Sequence, residues 1–179
     1  MKITEKWLLK NNACNQGIDW FNNQNLRDEI DVINALMEKK RFDWANWYIS
    51  YRLTKEESLR YAIYAAKSVL NIFETNHPTD TRPRMAVKAA EKYLKYPTEK
   101  NKIAATDAAY AATYAAYAAD ATDAAYAAAY AADAAAYAAN AANAAYAAAY
   151  AADAADAGTI KTKIIKYGIK LIKGNKKVI

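Results

Sequence analysis

Residues 103–158 read IAATDAAYAATYAAYAADATDAAYAAAYAADAAAYAANAANAAYAAAYAADAADAG, and the reading of this stretch decides the fold. Nearly every position is alanine, the best helix former. The exceptions are tyrosine, aspartate, asparagine and threonine three or four residues apart, a spacing that places them on shared helical faces. The whole stretch is therefore predicted to be helical. Its tyrosines also carry a phase. At about 100° per residue, Tyr110, Tyr114 and Tyr117 fall within about 60° of one another. Tyr126, Tyr130 and Tyr137 form a second stripe, which on an unbroken helix would lie about 180° from the first, and Tyr146 with Tyr150 would return to the original side. Both shifts of phase coincide with dense clusters of capping residues, Asp120-Ala121-Thr122-Asp123 and Asn140-Ala141-Ala142-Asn143. The expectation is three short helices in tight hairpins. The recurrence of Tyr126-Ala-Ala-Ala-Tyr130-Ala-Ala-Asp133 as Tyr146-Ala-Ala-Ala-Tyr150-Ala-Ala-Asp153 supports a repeating unit. The alternative is a single rod of roughly 80 Å, because neither break contains glycine or proline.

Packing explains the pairing of alanine with tyrosine. Alanine faces let helix axes approach closely, but each methyl removes little surface from water. Tyrosine supplies the missing area, and its covered hydroxyl needs a partner, for which Asp107, Asp120, Asp133, Asn140, Asn143 and Asp153 are candidates. The tyrosines are thus read either as a core tied together by polar contacts or, for Tyr126 and Tyr130, as the aromatic wall of a ligand cleft.

The chain has 179 residues, a net charge of +6 and one cysteine. It is long enough for one well-buried domain and has no linker rich in glycine, proline or serine. The expected architecture is all-α: a single-domain multi-helix bundle or helical-hairpin solenoid over residues 1–179. Within it lie an N-terminal helical part (1–100), the alanine and tyrosine hairpins (101–158), an amphipathic helix (159–173) and a tail (174–179). The alanine tract is not read as a membrane span, because aspartates interrupt it and each costs about 2.5 to 3.5 kcal/mol at a bilayer centre. Met1 to Lys6 lacks the apolar run of a secretory signal, and lone Cys14 allows no internal disulfide, so a cytoplasmic location is expected. Cys14 itself reads as a buried small hydrophobe.

Along the chain, Thr4 is predicted to cap a helix through Trp7, Leu8 and Leu9, and Ala13 to Phe21 forms the next. Asn25 is placed as the cap of a helix with Leu26, Ile30, Ile33 and Met37 on its apolar face and charges opposite. Phe42 to Ile49 is dense in aromatics that close the base of the core. Thr54-Lys55-Glu56-Glu57 is a capping box opening a helix that runs to Phe73 and ends before His77-Pro78. A further helix runs through Met85, Val87, Ala90 and Leu94 to Pro97. Gly158 is placed as a helix C-cap and Thr159 as the cap of the last helix. There Ile160, Ile164, Tyr167 and Leu171 face the bundle, and Lys163, Lys166, Lys170 and Lys173 form a ridge; a helix lying on a membrane surface is the less favoured use of that pattern.

The most informative chemistry is the run His77-Pro78-Thr79-Asp80-Thr81-Arg82-Pro83-Arg84. Pro83 suits a first helical turn. Free amides at a helix start, two arginines and a titratable histidine together suit a phosphate or carboxylate. The structural alternative pairs Arg82 or Arg84 with Asp80 or with acids of the alanine helices. The candidate ligand-binding residues are Arg82, Arg84, His77, Asp80, Tyr126 and Tyr130. No catalytic residue, metal ligand or cofactor is expected, since no paired carboxylate, activated nucleophile or metal-ligand spacing is present. The basic balance does not select nucleic acid, and no nucleic-acid-binding signature occurs. An ice-binding role is set aside because Thr106, Thr113 and Thr122 form no regular array.

The run Phe73-Glu74, His77-Pro78, Asp80-x-Arg82-Pro83-Arg84-x-Ala86-Val87-x-Ala89-Ala90, followed by the alanine-rich region, resembles the Imm-5-like putative immunity proteins of bacteria and their phages. The opening Trp7-Leu8, Ala13-Cys14, Gly17 and Trp20-Phe21 is similar to the phage-associated branch. Tyr93-Leu94-Lys95-Tyr96 departs from relatives that carry a tryptophan after that helix. The resemblance implies a non-catalytic protein that neutralises a toxin or defence effector by binding, as a monomer or homo-oligomer. The second expectation is a phage-type sponge holding an anionic nucleotide signal with His77, Arg82, Arg84 and the tyrosines.

Overall fold

The computed structural model describes residues 1–118, 127, 129–130, 146–147, 150 and 158–175. Among these are eight helices: α1 (Glu5–Lys10), α2 (Asn15–Asn22), α3 (Glu29–Glu38), α4 (Phe42–Arg52), α5 (Lys55–Asn76), α6 (Arg82–Lys95), α7 (Glu99–Ala118) and α8 (Gly158–Asn175). The fold is all-α; the described residues hold no strand beyond an isolated bridge between Lys2 and Asp28.

Local signals place several helix starts where the sequence puts them. Thr4 accepts a hydrogen bond from the Trp7 amide at 3.2 Å. Thr54 and Glu57 form the full capping box that opens α5. The start of α3 differs: Asp28, not Asn25, is the cap, accepting from the Ile30 amide at 2.9 Å. The cause is tertiary. The Ile3 amide donates to the Arg27 carbonyl at 2.7 Å and the Glu29 amide to the Met1 carbonyl at 3.1 Å, which draws the chain ahead of Glu29 out of helical geometry. The buried face of α3 becomes Glu29, Val32, Ile33 and Leu36, so one of the residues assigned to its charged side enters the core. Glu29 is fully buried, meeting the Met1 ammonium at 2.7 Å, Arg52 Nε at 3.0 Å and the Tyr48 hydroxyl at 3.4 Å. Cys14 is also corrected: it is exposed, because it stands in extended backbone at the N-cap of α2, and the buried face of that helix begins at Ile18.

The alanine region begins inside α7, which starts at Glu99 rather than at 101. The side chain of Thr98 accepts from the Asn101 amide at 3.2 Å. Ala105, Ala109 and Ala112 are its buried face, and α6 supplies Ala86, Val87 and Ala90 to the same core, so this helix pair meets through small residues. Tyr110 is 58% exposed, which corrects the tyrosine-core reading at this residue, while the side chains of Tyr114 and Tyr117 lie outside the description. The expected breaks at 120–123 and 140–143 lie outside the described residues. Two contacts nevertheless exclude an uninterrupted rod: the Tyr130 ring lies 5.2 Å from Tyr146 and is stacked at 5.4 Å on Tyr150. In a continuous helix those residues would be about 24 and 30 Å apart along the axis.

α8 begins at Gly158, so neither the C-cap role of Gly158 nor the N-cap role of Thr159 holds. It extends through Gly174 and Asn175, which the sequence reading assigns to the tail; 176–179 lie outside the described residues. Its face of Ile164, Ile165, Ile169 and Ile172 is buried against α4 and α5. Lys163, Lys166, Lys170 and Lys173 are exposed. No described helix is long and apolar enough to cross a membrane.

Candidate functional site

The run from His77 to Arg84 joins α5 to α6, and each residue of it has a local reason for its place. The His77 amide donates to the Phe73 carbonyl at 2.8 Å, closing the end of α5, and the Asp80 amide donates to the His77 carbonyl at 3.1 Å, forming the turn. The half-buried His77 ring rests on the buried Phe73 ring, centroids 4.8 Å apart. Pro83 falls in the first turn of α6, where its missing amide costs nothing, and is buried.

The N-cap position of α6 is Thr81, whose side chain makes no capping bond. Asp80 does the capping instead. Its carboxylate accepts the Arg82 amide at 3.0 Å and grips the Arg82 guanidinium through Nε at 2.9 Å and Nη2 at 2.6 Å. The anion expected at this helix start is thus provided by the chain itself. Arg84 reaches back to α5 and forms a two-pronged pair with Glu74. The hydrogen bonds from Arg82 hold the Asp80 carboxyl below the usual carboxylate range, and the carboxylates of Asp80 and Glu74 raise the already high values of Arg82 and Arg84.

Asp80 thus meets Arg82 in the turn that follows His77, while Arg84 is paired separately with Glu74. Asp80 is the internal partner anticipated for an arginine; Glu74, ten residues before Arg84, is the partner that residue-by-residue reading missed, although it stands in the quoted run Phe73-Glu74. Exposure is unequal within each pair. The Arg82 and Arg84 side chains are 42% and 45% exposed, against 20% and 24% for Asp80 and Glu74, so the guanidinium groups are the outward members. Tyr130 sits in the stack with Tyr146 and Tyr150, and Tyr126 lies outside the described residues. No group of three or more metal-ligating side chains occurs among the described residues.

Residues 50–175 match the model of a protein family described as Imm-5 like putative immunity protein. No curated protein and no solved structure matches the chain.

Proposed function

Because the chain belongs to the Imm-5 like putative immunity protein family, we propose that it neutralises a toxin or effector protein by non-catalytic binding, with the α5–α6 turn as the contact. The observation that carries this reading is the arrangement of the two arginines. Each guanidinium is braced by a less exposed carboxylate through Nε and Nη2, which leaves its Nη1 group uncommitted. A side chain already fixed in place loses little freedom when a partner docks. Two such forks suit carboxylates or backbone carbonyls on an acidic protein segment.

The nucleotide-sponge reading has less support. A phosphate would have to displace Asp80 from the first amide of α6 to use that helix start as an anion site. Affinity capture with the chain as bait, read by native mass spectrometry, distinguishes the two. The expected product is a stoichiometric complex with one protein, lost when Arg82→Glu and Arg84→Glu are combined. A retained nucleotide mass without a partner chain, or undiminished capture by the double variant, would overturn the proposal.

A further inference from the structure

A second feature lies in the N-terminal residues, ahead of the family-matched part. Helices α1 to α4 surround a cavity of about 250 Å³ whose walls include Leu8, Trp20, Phe21, Leu36, Trp44 and Trp47. Asn12, Cys14 and Asp43, all exposed, also line it and open it to solvent. We propose that this cavity is a binding site for a neutral two-ring aromatic molecule of indole size.

Size comes first. An apolar cavity of about 150 Å³ stays dry and takes up benzene, so the larger space here accommodates a second fused ring. An apolar wall with nothing against it forgoes its packing contacts. The nature of the wall then favours rings over chains. Trp20 and Trp44 lie 6.2 Å apart and inclined by 58°, while Trp47 is held edge-on to Trp7 at 6.0 Å and 72°. All four tryptophans remain partly exposed, and three of them line this one cavity. Inclined rings offer both faces and edges, the two surfaces against which another aromatic ring packs best.

Charge on the ligand is disfavoured from both sides. Asp43, the carboxylate among the lining residues, is bound by Arg41 at 3.3 and 3.1 Å, and the Arg41 guanidinium lies 3.2 Å over the Trp44 ring. A cationic ligand therefore finds Asp43 and a face of Trp44 already engaged, and an anionic ligand would have to give up its water against an apolar wall. The amide of Asn12 gives a ring N–H a partner at the mouth. Gly17 keeps the cavity open. A Cβ there would lie 3.4 Å from the Cys14 sulfur and 3.9 Å from Trp44, so a longer side chain at this position enters the space.

The test uses the full chain and 5-fluoroindole as probe, observed by fluorine NMR. Saturable broadening is expected, reversed by unlabelled indole and not by equal concentrations of octan-1-ol or tryptamine. Gly17→Leu and Ala13→Phe, each at a residue that lines the cavity, are expected to weaken binding by about tenfold or more. Proton NMR dispersion verifies that each variant is folded, and either folded variant suffices. Absence of saturable broadening, equal displacement by octanol or tryptamine, or full binding in a folded filled variant overturns the proposal.

Discussion

Asp80 accepts both the first backbone amide of α6 and the fork of Arg82, so its charge is more useful in the folded chain than in the unfolded one. Its folded-state pKa is lowered, chiefly by the Arg82 side chain. The stabilisation is therefore complete above the unfolded value of about 3.9 and is lost as pH falls through the folded value. Asp80→Ala is expected to cost about 1 kcal/mol at neutral pH, the usual worth of a cap. Asp80→Asn costs less, since an amide oxygen still accepts the Arg82 N–H, and its deficit shrinks as the wild-type carboxylate becomes protonated. Urea unfolding midpoints for the three proteins between neutral pH and about pH 2.5 check both statements. Buried tyrosines act at the other end of the scale. Tyr61 is fully buried and donates to Asn46 Oδ1 at 2.6 Å. Burial pushes its hydroxyl well above the ordinary range, and burial followed by the charge of Glu29 does the same for Tyr48. Above about pH 10 the unfolded chain releases protons that the folded chain keeps, so stability falls with rising pH, by about 1.4 kcal/mol per pH unit for each such tyrosine. Spectrophotometric titration should find at least two of the 15 tyrosines un-ionised until the protein unfolds. Full titration of the native chain near pH 10 would contradict this.

Helix starts encoded by nearest neighbours, those at Thr4 and Thr54, were legible in the sequence. The start of α3 was not, because the pairing of Ile3 with Arg27 that displaces it joins residues far apart in the chain. The same distinction runs through the candidate site. The proline and the Asp80–Arg82 pair follow from local spacing, whereas Arg84 meets Glu74 only because α5 and α6 pack side by side. Alanine periodicity announced α7 but not which face it buries. The close approach of α8 was equally hidden, since Gly168 carries no pattern of its own. A Cβ on Gly168 would lie 2.6 Å from Ile49 Cγ2, 2.9 Å from Ile49 Cδ1 and 3.0 Å from the Tyr61 ring, and both neighbours are fully buried. Gly168→Ala gains helix propensity, roughly 1 kcal/mol, yet forces a packed core apart at a cost of about 1 to 3 kcal/mol. Net destabilisation is expected. Combined with Ile49→Ala, which removes both clashing carbons, the loss should fall short of the sum of the single losses by about 0.5 kcal/mol or more. Additive losses in urea titrations would show that α8 does not owe its position to this glycine.

One buried cluster runs from Ile3 to Ile172, and it crosses the boundary at which the family match begins. Residue 50 falls inside α4, the helix that supplies Tyr48 and Ile49 to the core and against which α8 rests. Arg52, just within the matched part, is also the partner of buried Glu29, which lies in α3 outside it. The matched region is therefore predicted not to stand alone. A fragment of residues 50–179 would lack Ile49, the residue seated over Gly168, and would uncover part of the buried isoleucine face of α8. It would also leave Arg52 without its carboxylate. Its helices need not vanish, because α5 keeps its capping box and the alanine region keeps its propensity. The expected fragment retains much of the far-ultraviolet circular dichroism of a helical chain, but loses near-ultraviolet signal and NMR dispersion and unfolds in urea without a sharp transition. Cooperative unfolding with a slope scaled to its length would instead show that residues 50–175 hold a core of their own, and that the N-terminal helices are an addition to it.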